Sequence, residues 1–427
     1  MLSCRNLIVT ASAARVMIDR SVKCMSLKSY PRLYFELLFA GFTIVMGMGL
    51  VTSFLPIFAD DLDPSGVLVG LTVSAFFLSR LFIELPAGII SDRIGRRKLL
   101  IMGIALSAFG AFLCSQATIS YVLILGRAVW GLGTALYFMN NAALVIDLFN
   151  PEIRGRALGL FNGIEFLGGF IGAPIGAFLA GILNYTNVFY FTLVLVLSSF
   201  GVALSSKSLK AFRSNQARDS SPSLKWTLTN LKNWSIFVVC TISFFRMLIM
   251  QGIFGTVFQL YLNKDLLFPL EYIGLIMAIR TGGHIVATVS SGFLSDRFGR
   301  RLIVAMGFLI DAGCLAAFTA ISSLDIFLAV GFLEGLGEGL VFTSLIVLLS
   351  DIAHPSAMGG ALGFYRTFMD LGGFIGPMAF MLIYSSINPS TAFLVAIGIN
   401  IMNIILLTFI RTLHSTKKEV IEAIPKN

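Results

Sequence analysis

The ten residues GIISDRIGRR, Gly88 to Arg97, return as GFLSDRFGRR, Gly292 to Arg301. The register, 204 positions from Gly88 to Gly292, then holds without a gap. Gly131 and Gly133 fall on Gly335 and Gly337, Asp147 on Asp351, Pro151 on Pro355 and Gly155 on Gly359. The ALG at Ala157 falls on that at Ala361, and the LGGFIG at Leu167 on that at Leu371. Chance does not align so many positions at one offset, so the chain is a tandem duplication whose halves lie in parallel orientation. Two such halves facing each other enclose a cavity.

Around the repeat the chain is apolar. Its 427 residues are 57% hydrophobic and 12% charged, with a mean hydropathy of +0.89, against roughly 25% charged in soluble proteins. At about 20 apolar residues per crossing, this length holds about twelve spans and no large soluble domain. Apolar runs place them at 34–58, 66–90, 99–118, 121–149, 155–183, 187–205, 234–260, 270–294, 302–320, 324–350, 359–385 and 389–411. The expected fold is an all-α membrane protein: twelve transmembrane helices in two six-helix repeats around a central cavity. The chain divides into a tail (1–33), a first half (34–205), a linker (206–233), a second half (234–411) and a tail (412–427). The linker is Ser-rich and carries Lys207, Lys210, Arg213, Arg218, Lys225 and Lys232.

The formal charge of +9 reports topology rather than nucleic-acid binding. Basic residues crowd the tails, the linker and alternate loops, such as Arg93, Arg96, Arg97 and Lys98, and Arg297, Arg300 and Arg301. On the other side stand Lys264 and the acids Asp60, Asp61, Asp63, Asp265, Glu271 and Asp325. The positive-inside rule puts both termini in the cytoplasm of a multi-pass protein of the cell membrane. Residues 1–24, with Arg5, Arg15, Arg20 and Lys23, read either as a transit peptide or as a solvated segment ahead of a start at Met25. Cys4, Cys24, Cys114, Cys240 and Cys314 are scattered, and His284, His354 and His414 lie far apart. No metal site, cofactor, nucleophile elbow or P-loop is indicated, so the chain is not read as an enzyme.

Charges inside the spans are the candidate functional residues. Arg80, Arg127, Arg246, Arg280 and Arg366 face six acids at similar depth, Glu84, Glu165, Asp311, Glu334, Glu338 and Asp370. An arginine at the bilayer centre costs roughly 2.5 to 3.5 kcal/mol, so these side chains must face counter-ions or water. Complete pairing still leaves one acid without an arginine. At helical spacing i, i+4 stand Arg80 with Glu84, Arg280 with His284, Glu334 with Glu338, and Arg366 with Asp370. Two acids on one face in low dielectric resist joint ionisation, so Glu334 and Glu338 are the expected proton-handling pair, with Glu84 and Glu165 in reserve.

From its first span to its last, the chain resembles the major facilitator superfamily, in particular its twelve-helix drug:proton antiporters. The Gly-x-x-x-Asp-Arg-x-Gly-Arg-Arg signature between spans 2 and 3 is that family's most specific motif, and here it occurs twice. The resemblance implies a conformational gate at Gly88, Asp92, Arg93, Gly95, Arg96 and Arg97, repeated at Gly292, Asp296, Arg297, Gly299 and Arg300. It also implies a proton-coupling role for Arg127, which is followed by Gly131 and Gly133 but has Trp130 where a polar residue is common. A hinge is implied at Ala173 and Pro174, repeated at Gly376 and Pro377, with Ala173 and Ala177 replacing glycines of the antiporter pattern. The expected function is proton-coupled secondary transport, exporting small amphipathic or drug-like molecules as a monomer in the lipid bilayer. A carrier of organic anions clamped by the buried arginines and a non-transporting membrane sensor are the alternatives.

Overall fold

The computed structural model describes residues 30–212, 233–353 and 358–410, with the side chains of 84–94, 151, 152, 156 and 359 left out of that description. The expectations for Glu84, Gly88, Asp92 and Arg93, for residues 1–24 and for most of the linker lie outside the described residues. Among the described residues, twelve helices are long and apolar enough to cross a membrane. They are α1 (Arg32–Thr52), α2 (Gly66–Ile94), α3 (Arg96–Ser115), α4 (Ser120–Leu148), α5 (Pro151–Ile182), α6 (Tyr185–Ser205), α7 (Trp234–Asp265), α8 (Leu270–Phe298), α9 (Arg300–Phe318), α10 (Leu324–Ile352), α11 (Met358–Ser386) and α12 (Pro389–Thr408).

Local chemistry sets the boundaries. Asn184, Asn233 and Asn388 cap α6, α7 and α12, each side chain accepting from a backbone N–H at 2.8 to 3.1 Å. The expected first span, 34–58, is two helices. The chain breaks at Ser53–Phe54 and restarts as Leu55–Leu62 with Pro56 in its first turn, because proline has no N–H to continue α1. Span 7 runs on to Asp265 through π-helical turns at Met250–Val257 and Tyr261–Asp265. The polar breaks expected around the duplicated motif shrink to one residue each. Gly95 and Gly299 take φ of +95° and +92°, and α3 and α9 start directly after them. No heavy atom lies within 4 Å of where a Cβ would stand on either, so the demand for glycine there is conformational.

The duplication survives as repeated contacts. In the first half α1 packs on α5, α2 on α4 and α3 on α4, and in the second α7 packs on α11, α8 on α10 and α9 on α10. A Cβ on Gly131 would collide with the Phe76 carbonyl oxygen and one on Gly335 with that of Arg280, its counterpart 204 residues on. Likewise a Cβ on Gly133 would lie 2.6 Å from the Gly103 oxygen, and one on Gly337 would lie 2.9 Å from that of Gly307. Small residues at helix crossings let backbones approach closely in lipid. The halves meet along two equivalent seams, α2 on α11 and α5 on α8. In one Gly70 abuts Pro377, and in the other its repeat mate Gly274 abuts Pro174 and Ala177. The proposed hinge positions thus stand at the seams.

The two ends of the molecule differ. At the end bearing Asp60 and Asp61 one apolar cluster runs across both halves, from Leu50, Phe54 and Phe58 to Phe254, Phe258 and Phe393. Lys264 fastens it, holding Asp60 at 3.2 Å and Asp61 at 3.1 Å. At the motif end each half has its own cluster, around Tyr34 and Tyr137 in one and Val239 and Tyr365 in the other. The described structure is therefore closed at the acidic-loop end.

Gly95→Ala places a side chain in a backbone region reserved for glycine and should lower stability by about 1 to 3 kcal/mol. Gly155→Ala, in a helix with open space around the new methyl, should be neutral or stabilising by up to about 1 kcal/mol. Thermal unfolding of the two detergent-purified variants separates them; equal losses would show that the positive φ is not what Gly95 supplies.

Candidate functional site

The second half brings four of the expected charges together. Arg280 on α8 grips Glu334 on α10 with both Nε and Nη2, the latter at 2.8 Å, and its Nη2 also meets Met250 Sδ at 3.1 Å. The guanidinium sits 4.1 Å from the centre of the Phe254 ring. Arg246 on α7 pairs with Glu338 on α10 and lies 5.3 Å from the Phe342 ring centre. All four charged residues are buried. Each member of the expected Glu334 and Glu338 proton-handling pair thus has an arginine of its own. Four residues apart on α10, they point to different neighbours, α8 and α7, and each buried carboxylate is stabilised by its own guanidinium.

Asp311, on α9, is the acid of this cluster without an arginine partner among the described residues. It is buried, accepts from Asn400 Nδ2 on α12 at 2.7 Å, and stands in hydrogen-bonding range of Glu334. Its Oδ1 has no hydrogen-bond donor among the described residues, and neither Asn400 Oδ1 nor the side chain of Asn403 has a partner there. A small cavity joins the group, lined by Arg246, Met250, Phe254, Asp311, Glu334, Glu338 and Asn400 among others. Sequence reasoning counted Asp311 among the six acids within the spans without giving it a site. The legible signal was Asn400 and Asn403, one helical turn apart in an otherwise apolar span.

The first half solves the same problem differently. Arg127 rests on the rings of Phe76, at 4.6 Å, and Trp130, at 5.4 Å. Phe76 and Trp130 are the repeat mates of Arg280 and Glu334, so an aromatic pair occupies the place of the ion pair. Glu165 on α5 packs against Gly41, its Oε1 has no donor among the described residues, and the exposed Arg366 of α11 is within electrostatic range. The seams differ too. Asp370 does not take Arg366 as its partner, as helical spacing predicted, but bonds Arg80 across the α2–α11 seam at 3.3 Å, since its buried face turns toward α2. The mates of Arg80 and Asp370 are His284 and Phe166. Across the α5–α8 seam these rings lie 6.0 Å apart, with Phe342 5.6 Å from His284 and 5.9 Å from Phe166. His284 therefore joins a ring cluster, while Arg280 is taken by Glu334.

At the motif end, Arg96 pairs with Asp147 and donates to the Ala143 carbonyl at 2.8 Å. Its mate Arg300 pairs with Asp351 at 2.7 Å and Asp296 at 2.6 Å and donates to Ser295 at 2.9 Å. These bonds tie α3 to α4 and α9 to α10 within each half. Arg297 stacks on Phe298 at 5.5 Å, and Arg97 Nε is buried without a partner among the described residues.

The sequence profile of the Major Facilitator Superfamily matches residues 37–250 and 239–426. The Quinolone resistance protein NorA of Staphylococcus aureus (strain MSSA476) is 24% identical over 391 residues, 90% of this chain and 98% of its own. Multidrug resistance protein 1 of Bacillus subtilis (strain 168) is 24% identical over 347 residues, 79% of this chain and 86% of its own. Among solved structures, the nucleoside transporter NupG superposes with a TM-score of 0.74 at 15% identity, over 89% of this chain and 99% of its own. The D-xylose-proton symporter reaches 0.73 at 14%, over 88% and 97%. At such identities the superpositions speak to the fold.

Arg246→Met strands the buried Glu338 and should cost about 3 to 5 kcal/mol, whereas adding Glu338→Leu should recover most of that loss. Chemical or thermal unfolding of the single and double variants measures it. A double variant no better than the single one would mean that Arg246 answers to another partner.

Proposed function

The chain belongs to the Major Facilitator Superfamily, and on that footing we propose that it is a proton-coupled secondary transporter exporting small amphipathic, drug-like molecules by alternating access. Residues 34–205 and 234–411 are the moving halves in this reading, with 206–233 linking them. The observation that carries it is the surplus of one carboxylate over guanidiniums in the buried cluster of the second half. A charge imbalance in so dry a place favours taking up a small cation, and an acid that gains and loses a proton is the requirement for coupling.

The relatives' names, a quinolone resistance protein and a multidrug resistance protein, support drug-like cargo. So does the ring cluster of Phe166, His284 and Phe342 between the halves, which offers flat apolar faces and few fixed hydrogen-bonding groups. The positive-inside distribution supports cytoplasmic termini. The end fastened by Lys264 then faces outward, and the described state is shut to the outside. The motif pairs, Arg96 with Asp147 and Arg300 with Asp351, stiffen each half, and hinge motion at Pro174 and Pro377 falls on the seams between them. The functional unit in this reading is the monomer in its bilayer.

One observation favours the anion-carrier alternative. Arg366 is exposed while Arg80, Arg246 and Arg280 are committed to acids and Arg127 to rings, so any anion clamp centres on Arg366.

In proteoliposomes with an imposed pH gradient, screened against cationic, neutral and anionic compounds, amphipathic cations should exchange for protons, and Arg366→Ala should leave that exchange within about threefold of wild type. Transport indifferent to the pH gradient would sink the coupling reading. Anion transport abolished in Arg366→Ala would put the clamp in its place.

A further inference from the structure

The geometry points to Asp311 as the residue that takes up and releases the coupled proton, in a pocket wholly inside the second half. This deepens the proton-coupling reading and rests on it. Two independent observations carry it. The first is charge: Glu334 and Glu338 each hold an arginine, whereas Asp311 receives a single neutral donor, the Asn400 amide. The second is unmet hydrogen bonding. Asp311 is only 8% exposed and Asn400 is fully buried, yet Asp311 Oδ1 and Asn400 Oδ1 have no partner among the described residues. A half-satisfied carboxylate away from water is strongly disfavoured if it stays charged and isolated.

A proton removes the excess charge and satisfies Asp311 Oδ1 at once. Asp311 and Glu334 lie in hydrogen-bonding range of each other, and two carboxyl groups bond only when one carries a proton. With that proton on Asp311, its O–H donates to Glu334, Glu334 keeps Arg280, and the group of three acids and two arginines becomes neutral. The groups facing Asp311 from its neighbours are Glu334 and Glu338 of α10, Arg280 of α8 and Asn400 of α12, with Arg246 of α7 on the same cavity and Cys314 on α9 itself.

A metal cation fits this pocket poorly. It needs a shell of oxygens, whereas the lining includes a guanidinium, the Met250 thioether and the Phe254 ring, with room for about one water. The π-helical turn Met250–Val257 supplies Met250 and Phe254, which places an irregular, adjustable stretch of α7 on the pocket wall. Glu338 and Arg246 connect the site to Phe342 and the ring cluster between the halves. The proton therefore acts on the central cavity through that pair, without competing for the cargo's own place.

Asp311→Asn mimics the protonated carboxyl, since its amide donates to Glu334 and accepts from Asn400. In proteoliposomes this variant should retain exchange of substrate for substrate but lose the pH-driven increment, its rates with and without a pH gradient agreeing within about twofold. Accumulation that still follows the gradient overturns the assignment. Should the variant fail to insert, Asn400→Leu decides. It removes the donor that favours the carboxylate, so the pH midpoint of transport should move about one unit alkaline, and an unmoved midpoint overturns the assignment. A sodium gradient at equal pH that drives wild-type transport overturns it in favour of a metal ion. Wild-type protein indifferent to pH would fail the broader coupling reading, whereas pH-driven wild type with pH-driven Asp311→Asn fails this inference alone.

Discussion

A guanidinium in the middle of a bilayer has to be neutralised or stacked, and this constraint orders the interior of the protein. Arg280 takes Glu334, Arg246 takes Glu338, Arg80 takes Asp370, and Arg127 lies on two aromatic rings. Each solution recruits a second helix, because a partner on the same helix leaves the outer face of the guanidinium bare. The buried charges consequently decide which helices are held together. Within the second half they bind α7, α8 and α10 into one body, and Arg80 with Asp370 closes one seam between the halves.

The duplication shows which features of a membrane protein resist drift. Glycine contacts between helices recur at the same register in both halves, since a methyl at Gly131 or Gly335 would run into a backbone oxygen that cannot yield. Charges have no such anchor. The Arg280 and Glu334 pair corresponds to Phe76 and Trp130, and the Arg80 and Asp370 seam corresponds to His284 and Phe166. A scaffold with near two-fold symmetry thus carries an asymmetric chemistry: an ionic cluster in the second half, aromatic rings at the equivalent place in the first, one seam bonded by charge and the other by rings.

The same division bears on alternating access. A cluster spanning both halves and the Lys264 clasp hold the acidic-loop end shut, while at the motif end each half keeps a core of its own. Opening the shut end exposes apolar surface and breaks the clasp. Some source of free energy must offset that, and a change in protonation inside the second half supplies it only if it reaches the seam. The chain from Glu338 through Arg246 and Phe342 to Phe166 is a contiguous route among the described residues for the proposed coupling.

Sequence alone settled the helix number and the tandem repeat, because hydropathy, periodicity and the offset of 204 are properties of the chain read in one dimension. The positive φ at Gly95 and Gly299 was marked by the duplicated motif, although its spacing did not say that one residue makes the whole turn. Pairing among buried charges was beyond it. Four-residue spacing put Glu334 beside Glu338 and Arg366 beside Asp370, but a side chain answers to the helix packed against its face. Which face meets which helix is fixed only when α7, α8, α9, α10 and α12 come together. That is why an excess of acid was countable in the sequence, and why tertiary structure alone picked out Asp311 as the one left over in the second-half cluster.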